Sequence, residues 1–522
     1  MINVVDIFAG PGGLSEGFSS VLDSNGRQFF NVVLSIEKEE QAHKTLMLRS
    51  FFRQFGDSAP TDYYRFLRGE INSEELYQAH PAEAKLARIR AWHATLGSQG
   101  VDPTIVRTRI KKILGNDTSW VLIGGPPCQA YSIAGRSRNQ SNPDYDPIKD
   151  ERQRLYVEYL QILAEHRPAV FIMENVKGLL SATFENEQMF NRILEDLREP
   201  EKAIIREGRG GSGVRRGGYV IHSLTENRIF ENGSLDGSVI EAEKYGVPQA
   251  RHRVILLGIR DDIAGVRPGT LHRQNELPVT SVIGTLPRLR SGISPKKTDS
   301  AAAWKCLLQA QTQSRWANAG TIKVADEALS CLIRDRLKEL RIPKEDRGGE
   351  FVECETLTSY APEWFQDMRI GGVCNHSSRA HMHKDLFRYF YAACYAEHFG
   401  YSPILKYFPA DLIPCHANVF SAIEHGGYFS DRFRVQLRSR PSTTIVSHIS
   451  KDGHYYIHPD PLQCRSLTVR EAARLQTFPD NYFFCGNRTE QYIQVGNAVP
   501  PLLAMQIGEI VRDFLNAAGA NG

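Results

Sequence analysis

The chain has 522 residues, of which 41% are hydrophobic and 24% charged, and its formal net charge is +3. That length accommodates one large domain and a second, smaller one, and so small a net charge leaves any basic footprint to local clusters. No apolar run is long enough to cross a bilayer, the N-terminal Met1-Ile2-Asn3-Val4-Val5-Asp6 lacks a secretory pattern, and nine cysteines without a Cys-x-x-Cys pair suit buried thiols in a reducing compartment. A cytoplasmic protein without a membrane role is expected.

The first element is a β-rich run at 4–8, followed by Ala9-Gly10-Pro11-Gly12-Gly13 and a helical pattern over 14–22. Strand, glycine loop and helix in that order let the backbone and the free N–H groups of a helix start approach a nucleotide-like ligand. Ser15 stands where a dinucleotide fingerprint needs its third glycine, which argues against a nicotinamide cofactor. A second run, 32–36, ends at Glu37, where an acid accepts hydrogen bonds from ribose hydroxyls, although a lone glutamate is more often surface decoration. Residues 41–117 are polar, rich in Arg, Glu and Ala, and read as a helical insertion. Further strands are expected at 120–123, 169–173 and 254–259, with a helix at 155–164. Strands alternating with helices predict an α/β fold with a doubly wound, mostly parallel sheet.

Gly124-Gly125-Pro126-Pro127-Cys128-Gln129 follows the strand at 120–123. A lone cysteine is usually a small buried hydrophobe. This one follows two stiffening prolines in a polar, irregular stretch at a strand end, where open α/β sheets place reactive groups. Residues 130–150, with Ser132, Arg136 and Arg138, read as a loop able to close over a substrate. Glu174-Asn175-Val176 ends the next strand and brings a carboxyl into the same crevice. In Gln249-Ala250-Arg251-His252-Arg253, alternation puts Gln249, Arg251 and Arg253 on one side; in isolation this is a solvated basic edge. Residues 206–218, basic and glycine-rich, read either as a solvated linker or as a loop resting on phosphates. From 295 to 430 the alternation is lost and a second domain is expected. Its Cys374, His376, His381, His383, Cys394, Cys415 and His416 match no common zinc spacing, so no metal is expected. Arg432, Arg434, Arg438 and Arg440, interleaved with Phe433 and Val435, read as a basic strand, and 466–478 and 500–515 as helices.

Six segments, in order, resemble the DNA cytosine-5 methyltransferase family: Asp6-Ile7-Phe8-Ala9-Gly10-Pro11-Gly12-Gly13-Leu14, Gly125-Pro126-Pro127-Cys128-Gln129, Glu174-Asn175-Val176, Gln249-x-Arg251-x-Arg253, residues 465–479, and Gln494-Val495-Gly496-Asn497-Ala498-Val499-Pro500. The resemblance implies a catalytic domain at 1–290, a variable target recognition domain at 295–430 and a segment at 431–522 that returns to the catalytic domain. It implies S-adenosyl-L-methionine as methyl donor, with S-adenosylhomocysteine as product, held by Phe8, Gly10, Gly12, Leu14, Glu37, Pro126, Leu155, Asn497 and Val499. An acid beside the adenine amine is implied after a third strand, and Glu70 in Gly69-Glu70-Ile71 is one candidate. By the same resemblance Cys128 adds to carbon 6 of a cytosine flipped out of duplex DNA, and Glu174 hydrogen-bonds ring nitrogen 3 and the exocyclic amine. Arg253 touches the base oxygen, Arg251 supports the site, and elimination releases Cys128 after carbon 5 is methylated. Ser132, Arg136, Arg138 and Gln249 are the implied DNA contacts. The implied partner is double-stranded DNA, acted on by a monomer, with any restriction or phage-defence protein a separate chain. The competing readings are an RNA cytosine methyltransferase, which would not need some 140 residues of recognition domain, a non-catalytic scaffold, and a Cys–His hydrolase, which would leave 494–500 unexplained.

Overall fold

The apolar runs become neighbouring strands of one sheet in the computed structural model, which describes residues 1–97, 100–127, 151–184, 187–209, 217–231, 234–318, 326–355, 358–415, 419 and 429–520. The strands are β1 (Ile2–Ile7), β2 (Phe30–Glu37), β3 (Ala91–His93), β4 (Val121–Gly124), β5 (Val170–Val176), β6 (Tyr219–His222), β7 (Val239–Glu241) and β8 (His252–Arg260). Their order is β3-β2-β1-β4-β5-β8-β6, with β7 also paired to β8. From β3 to β5 all neighbours are parallel, whereas β8 runs antiparallel to β5, β6 and β7. This is the mostly parallel α/β sheet that the alternation predicts. Successive residues enter opposite layers: Val5, Ile7, Leu122, Phe171 and Met173 belong to one core, and Val4, Val121, Ile123, Val170 and Ile172 to the other. Burial on both faces is why these strands are apolar without interruption.

The stretch 41–117 is not wholly helical. It holds helices Glu40–Phe52, Thr61–Leu67, Ser73–Ala79, Pro81–Arg90 and Pro103–Leu114, and also β3, which forms one edge of the sheet. Three residues are too few for alternation to reveal a strand. Because β3 is Ala91–His93, Gly69-Glu70-Ile71 lies between two helices and does not follow the third strand. Two compact units divide the chain: Met1–Ala59 with Tyr77–Asn275 and Ala498–Gly522, and Pro60–Leu76 with Glu276–Asn497. These boundaries differ from the sequence segments: 431–497 falls with the second unit, and only the chain from Ala498 onward returns to the first. Among the described residues, no helix is long and apolar enough to cross a membrane.

In the first unit the opening helix, Gly13–Ser19, lies directly on the last one, Pro501–Ala520. A Cβ on Gly13 would collide with the Val499 carbonyl oxygen, and one on Gly17 with the backbone of Pro501 and Met505. Glu16 of the opening helix is buried beside Arg49 and Arg53. Arg49 Nε donates to its carboxylate at 2.9 Å and Arg53 Nη2 at 2.8 Å. Burial alone would raise Glu16, but the two guanidinium groups hold it down to about 2. Asp6, near the end of β1, is fully buried, and burial pushes it up to about 7 against the weaker pull of the Ser15 hydroxyl and Arg53.

The second unit is organised by three arginines that are at most 1% exposed. Arg465 grips both oxygens of Glu471 at 2.7 Å, and Glu471 also completes a capping box with Thr468 at the start of helix Val469–Leu475. Arg470 donates to the carbonyls of Cys374 (2.8 Å), Pro479 (3.0 Å) and Tyr482 (2.6 Å). Arg474 donates to both oxygens of Asp480 (2.8 and 2.6 Å) and to the Val282 carbonyl (2.8 Å). These bonds tie 465–482 to segments at 282 and 374, which is why 431–497 clusters with this unit.

Two predictions follow from these buried charges. Asp6 has a raised folded-state pKa, so its contribution to stability is complete below the usual aspartate value of 3.8 and is lost as pH rises through about 7. Asp6→Asn therefore raises the melting temperature above that of the parent at pH 8 and by clearly less at pH 5; an equal difference at both pH values contradicts the burial assignment. Arg474→Met strands the Asp480 carboxylate in the interior and lowers stability by about 3–5 kcal/mol, read from urea unfolding.

Candidate active site

The register of the sheet gathers the expected residues along one edge. Ile7 lies opposite Ile36 and Gly124, Glu37 opposite His93, and Gly124 opposite Met173. The residues that follow these positions therefore emerge side by side, where β1 parts from β4 toward the opposite winding direction and open α/β sheets bind ligands.

After β1 the backbone turns through left-handed residues: Phe8 at φ 56°, Gly10 at 57° and Gly12 at 94°. Phe8 accepts a conformation that bulky side chains rarely adopt, at a cost of about 1–3 kcal/mol. The turn is held by Ala9 N–H donating to the Ile36 carbonyl (3.2 Å) and Gly12 N–H to Ala9 (3.0 Å). Glu37 reaches over it: one oxygen accepts from Gly10 N–H at 2.7 Å, and the other from Lys38 and Glu39 N–H at 2.9 and 2.8 Å. Burial nevertheless raises the Glu37 carboxyl, against these three donors. Among the described residues a Cβ on Gly10 would meet nothing within 4 Å, so they leave space above the loop next to this carboxylate. Leu14 is buried in the core beneath. Ser15 donates to the Gly12 carbonyl at 3.1 Å, and the close helix packing that a third glycine would provide comes from Gly13 and Gly17.

The loop after β4 is shaped by its glycines. A Cβ on Gly124 would clash with the Ile7 carbonyl, and one on Gly125 would lie 3.0 Å from Glu174 Oε2. The Glu174 carboxylate is thus packed against the backbone that leads through the buried Pro126 to Cys128. Since β8 is antiparallel, Ile255 pairs with Glu174 and Arg253 with Val176, which makes Arg253 the diagonal neighbour of Glu174 on the same face. Arg253 Nε sits 3.0 Å from Glu174 Oε1, and Nη1 donates to the His252 carbonyl at 2.8 Å. The two side chains are 15% and 16% exposed, enough to meet a ligand. Gln249 and Arg251 are buried beneath, and His252 pairs with Glu243 at 2.7 Å. Cys128, Ser132, Arg136 and Arg138 lie outside the described residues.

Leu155 is half-buried, and a Cβ on Gly97, just past β3, would lie 3.2 Å from its Cδ2. Sequence reading missed Gly97 for the same reason that it missed β3. Val499 is buried in the first unit beside Gly13; Asn497 is the exposed last residue of helix Arg488–Asn497 in the second unit.

Several surface readings change. The stretch 432–440 is not a strand: Val435 makes one isolated bridge to Ile457, and Phe433 and Val435 are buried. Arg432, Arg434 and Arg438 face Asp452, Asp431 and Asp460, because carboxylates lie close enough to pair with each. In the basic glycine-rich segment, Arg206 pairs with Asp196 and Arg209 with Glu158, and 210–216 lie outside the described residues. Among the described residues no three His, Cys, Asp or Glu side chains gather as a metal site. His376 is held between Thr468 Oγ1 and the Pro287 carbonyl, each at 2.9 Å, and burial lowers it to about 4; Cys374 and Cys394 are buried, and His416 lies outside the described residues.

The chain is similar to known proteins over most of its length. The sequence profile of the C-5 cytosine-specific DNA methylases matches residues 101–201 and 234–512. The Type II methyltransferase M.Bpa9945I of Bacillus paralicheniformis is 31% identical over 540 residues, covering 98% of this chain and 99% of that protein. The Type II methyltransferase M.AgeI of Thalassovita gelatinovora is 26% identical, with 79% and 86% covered, and the DNA (cytosine-5-)-methyltransferase M.ApeKI of Aeropyrum pernix is 27% identical, with 76% and 82% covered. With a profile match over most of its length and a full-length relative, the chain belongs to the C-5 cytosine-specific DNA methylase family and is a DNA (cytosine-5-)-methyltransferase.

Proposed function

We propose that Cys128 is the nucleophile and that Glu174 and Arg253 hold the target base. The observation that carries this reading is the Glu174 carboxylate, lodged against Gly125 three residues before the thiol and paired to Arg253 across the sheet. Carbon 5 of cytosine is a poor nucleophile until the ring's aromaticity is broken. The Cys128 thiolate adds to carbon 6, forming an S–C bond and moving electron density toward ring nitrogen 3 and carbon 5. Glu174 holds a proton at nitrogen 3 and accepts from the exocyclic amine, so charge that develops on the ring meets a positioned partner. Arg253 anchors that carboxylate and reaches the base oxygen, while the buried Arg251 supports the strand start. Once carbon 5 carries the methyl group it is tetrahedral, and loss of its proton to a base such as water re-forms the 5,6 double bond as the S–C electron pair leaves on sulfur and frees Cys128. Because carbon 6 is hidden in stacked duplex DNA, the cytosine must leave the helix, and Ser132, Arg136, Arg138 and Gln249 are assigned to the DNA contacts.

The loop after β1 suits S-adenosyl-L-methionine. Open space over Gly10 lies beside the Glu37 carboxylate, which retains acceptor capacity for ribose hydroxyls beyond its three backbone bonds. Phe8, Gly12, Leu14, Pro126, Leu155, Asn497 and Val499 complete the proposed contacts. When bound, this cofactor supplies an electrophilic methyl group. The names of the relatives support a type II modification role; we further infer a monomer that acts in the cytoplasm on a specific duplex sequence, with any nuclease on a separate chain.

Cys128→Ala abolishes methyl transfer from labelled cofactor to duplex DNA while leaving cofactor binding intact, and the parent forms a denaturation-stable adduct with DNA containing 5-fluorocytosine. Near-normal turnover by the variant, or no trapped adduct with the parent, refutes attack by this thiol. Glu174→Gln keeps the shape but not the proton at nitrogen 3, and reduces kcat by about 10²–10³ with little change in cofactor affinity; a change confined to KM would remove Glu174 from the chemistry.

A further inference from the structure

Away from the crevice, β2 borders a small recess of about 20 Å³ lined by Gln28, Asn31, Ser35, Ser50, Arg53 and Arg90. That is room for about one oxygen-sized group. Among the described residues no acidic side chain lines it. Arg90 ends the helix Pro81–Arg90 and is half-buried, yet among the described residues its guanidinium has no carboxylate or carbonyl acceptor. Burial and the like charge of Arg53 both push its pKa down. Arg53 gives Nε and Nη2 to Glu16 at 3.2 and 2.8 Å, and Nη1 remains. Ser35 and Ser50 are 5% and 9% exposed, and neither hydroxyl has a protein partner among the described residues.

An arginine at a helix C-terminus ordinarily neutralises the dipole by sitting over the last carbonyls. Arg90 makes no hydrogen bond to such a carbonyl, so the dipole does not account for its place. Arg53 shares the single Glu16 carboxylate with Arg49, so Arg90, drawn out of water beside Arg53 and idle hydroxyls, is the guanidinium of this pair that lacks an anion. We propose that this recess binds a phosphoryl-type oxyanion, one oxygen seated among Arg53, Arg90, Ser35 and Ser50 and the remainder facing solvent. The site is separate from the methyl-transfer crevice, although Ser35 stands two residues before Glu37 on the same strand. Free phosphate and a phosphate of the DNA backbone share this chemistry.

The test is thermal unfolding of the full chain in sodium phosphate against sodium chloride at matched pH and ionic strength, with duplex affinity measured in parallel. Phosphate raises the melting temperature of the parent saturably by about 2 °C or more. Arg90→Gln loses that rise while melting no lower than the parent in chloride, because an uncompensated charge has been removed, and Ser35→Ala diminishes the rise. A parent without a saturable response, or an Arg90→Gln variant that responds as the parent does, overturns the site. With the rise confirmed, duplex binding that weakens in Arg90→Gln, with a salt slope smaller by about one, assigns the oxyanion to the DNA backbone; unchanged duplex binding assigns it to a free anion.

Discussion

One strand direction governs the crevice. Parallel strands deliver only their C-terminal ends to the edge where ligands bind, so a sheet that was parallel throughout would bring loops from that side and nothing that begins a strand. β8 breaks the rule: running against β5, it presents its first residues where β5 presents its last, and Arg253 comes to lie 3.0 Å from Glu174. The pairing register then does the positioning. A slip of one residue would turn Arg253 to the opposite face of the sheet, and nine residues of β8, buried through Val254–Ile259, hold the register against that. Site geometry is thus a by-product of core packing, with no dedicated loop required to aim the guanidinium.

The two units handle buried charge differently. In the first, ionisable groups crowd beneath the ligand-facing edge: Asp6 is raised and Glu16 lowered on neighbouring elements, so their protonation states are set apart by burial and by two arginines. In the second, Arg465, Arg470 and Arg474 bond chiefly to backbone carbonyls and to acids only six residues away. Such bonds are directional, and they fix the course of a segment that has few regular strands to do so.

How much of this was legible in the sequence depended on the length of each signal. Strands buried on both faces announce themselves as unbroken apolar runs, and β1, β2, β4, β5 and β8 were readable for that reason. Ala91-Trp92-His93 carries no such run, and its role as an edge strand emerges only when it meets β2. The glycine loop was legible as a tight turn between a strand and a helix, while the reason for Gly125, a carboxylate at 3.0 Å from its missing side chain, required coordinates. Arginines misled. Arg432, Arg434 and Arg438 read as a basic strand until their aspartates are found, and Arg90, unremarkable in sequence, has no carboxylate partner among the described residues. Charge pairing is a tertiary property that spacing along the chain does not encode.

The contact of Gly13 and Gly17 with the segment around Val499–Met505 has a bearing on biosynthesis. The helix that starts the ligand loop finds its packing partner almost five hundred residues later, after the whole of the second unit has been made. On the ribosome, β1 and its loop must wait with one wall absent, and the apolar face formed by Leu14 and Phe18 must be kept from other partners until the final helix arrives. The wall behind the loop that follows β1 is therefore supplied only after the second unit has been made, so a nascent chain has the whole of that unit before this packing is complete.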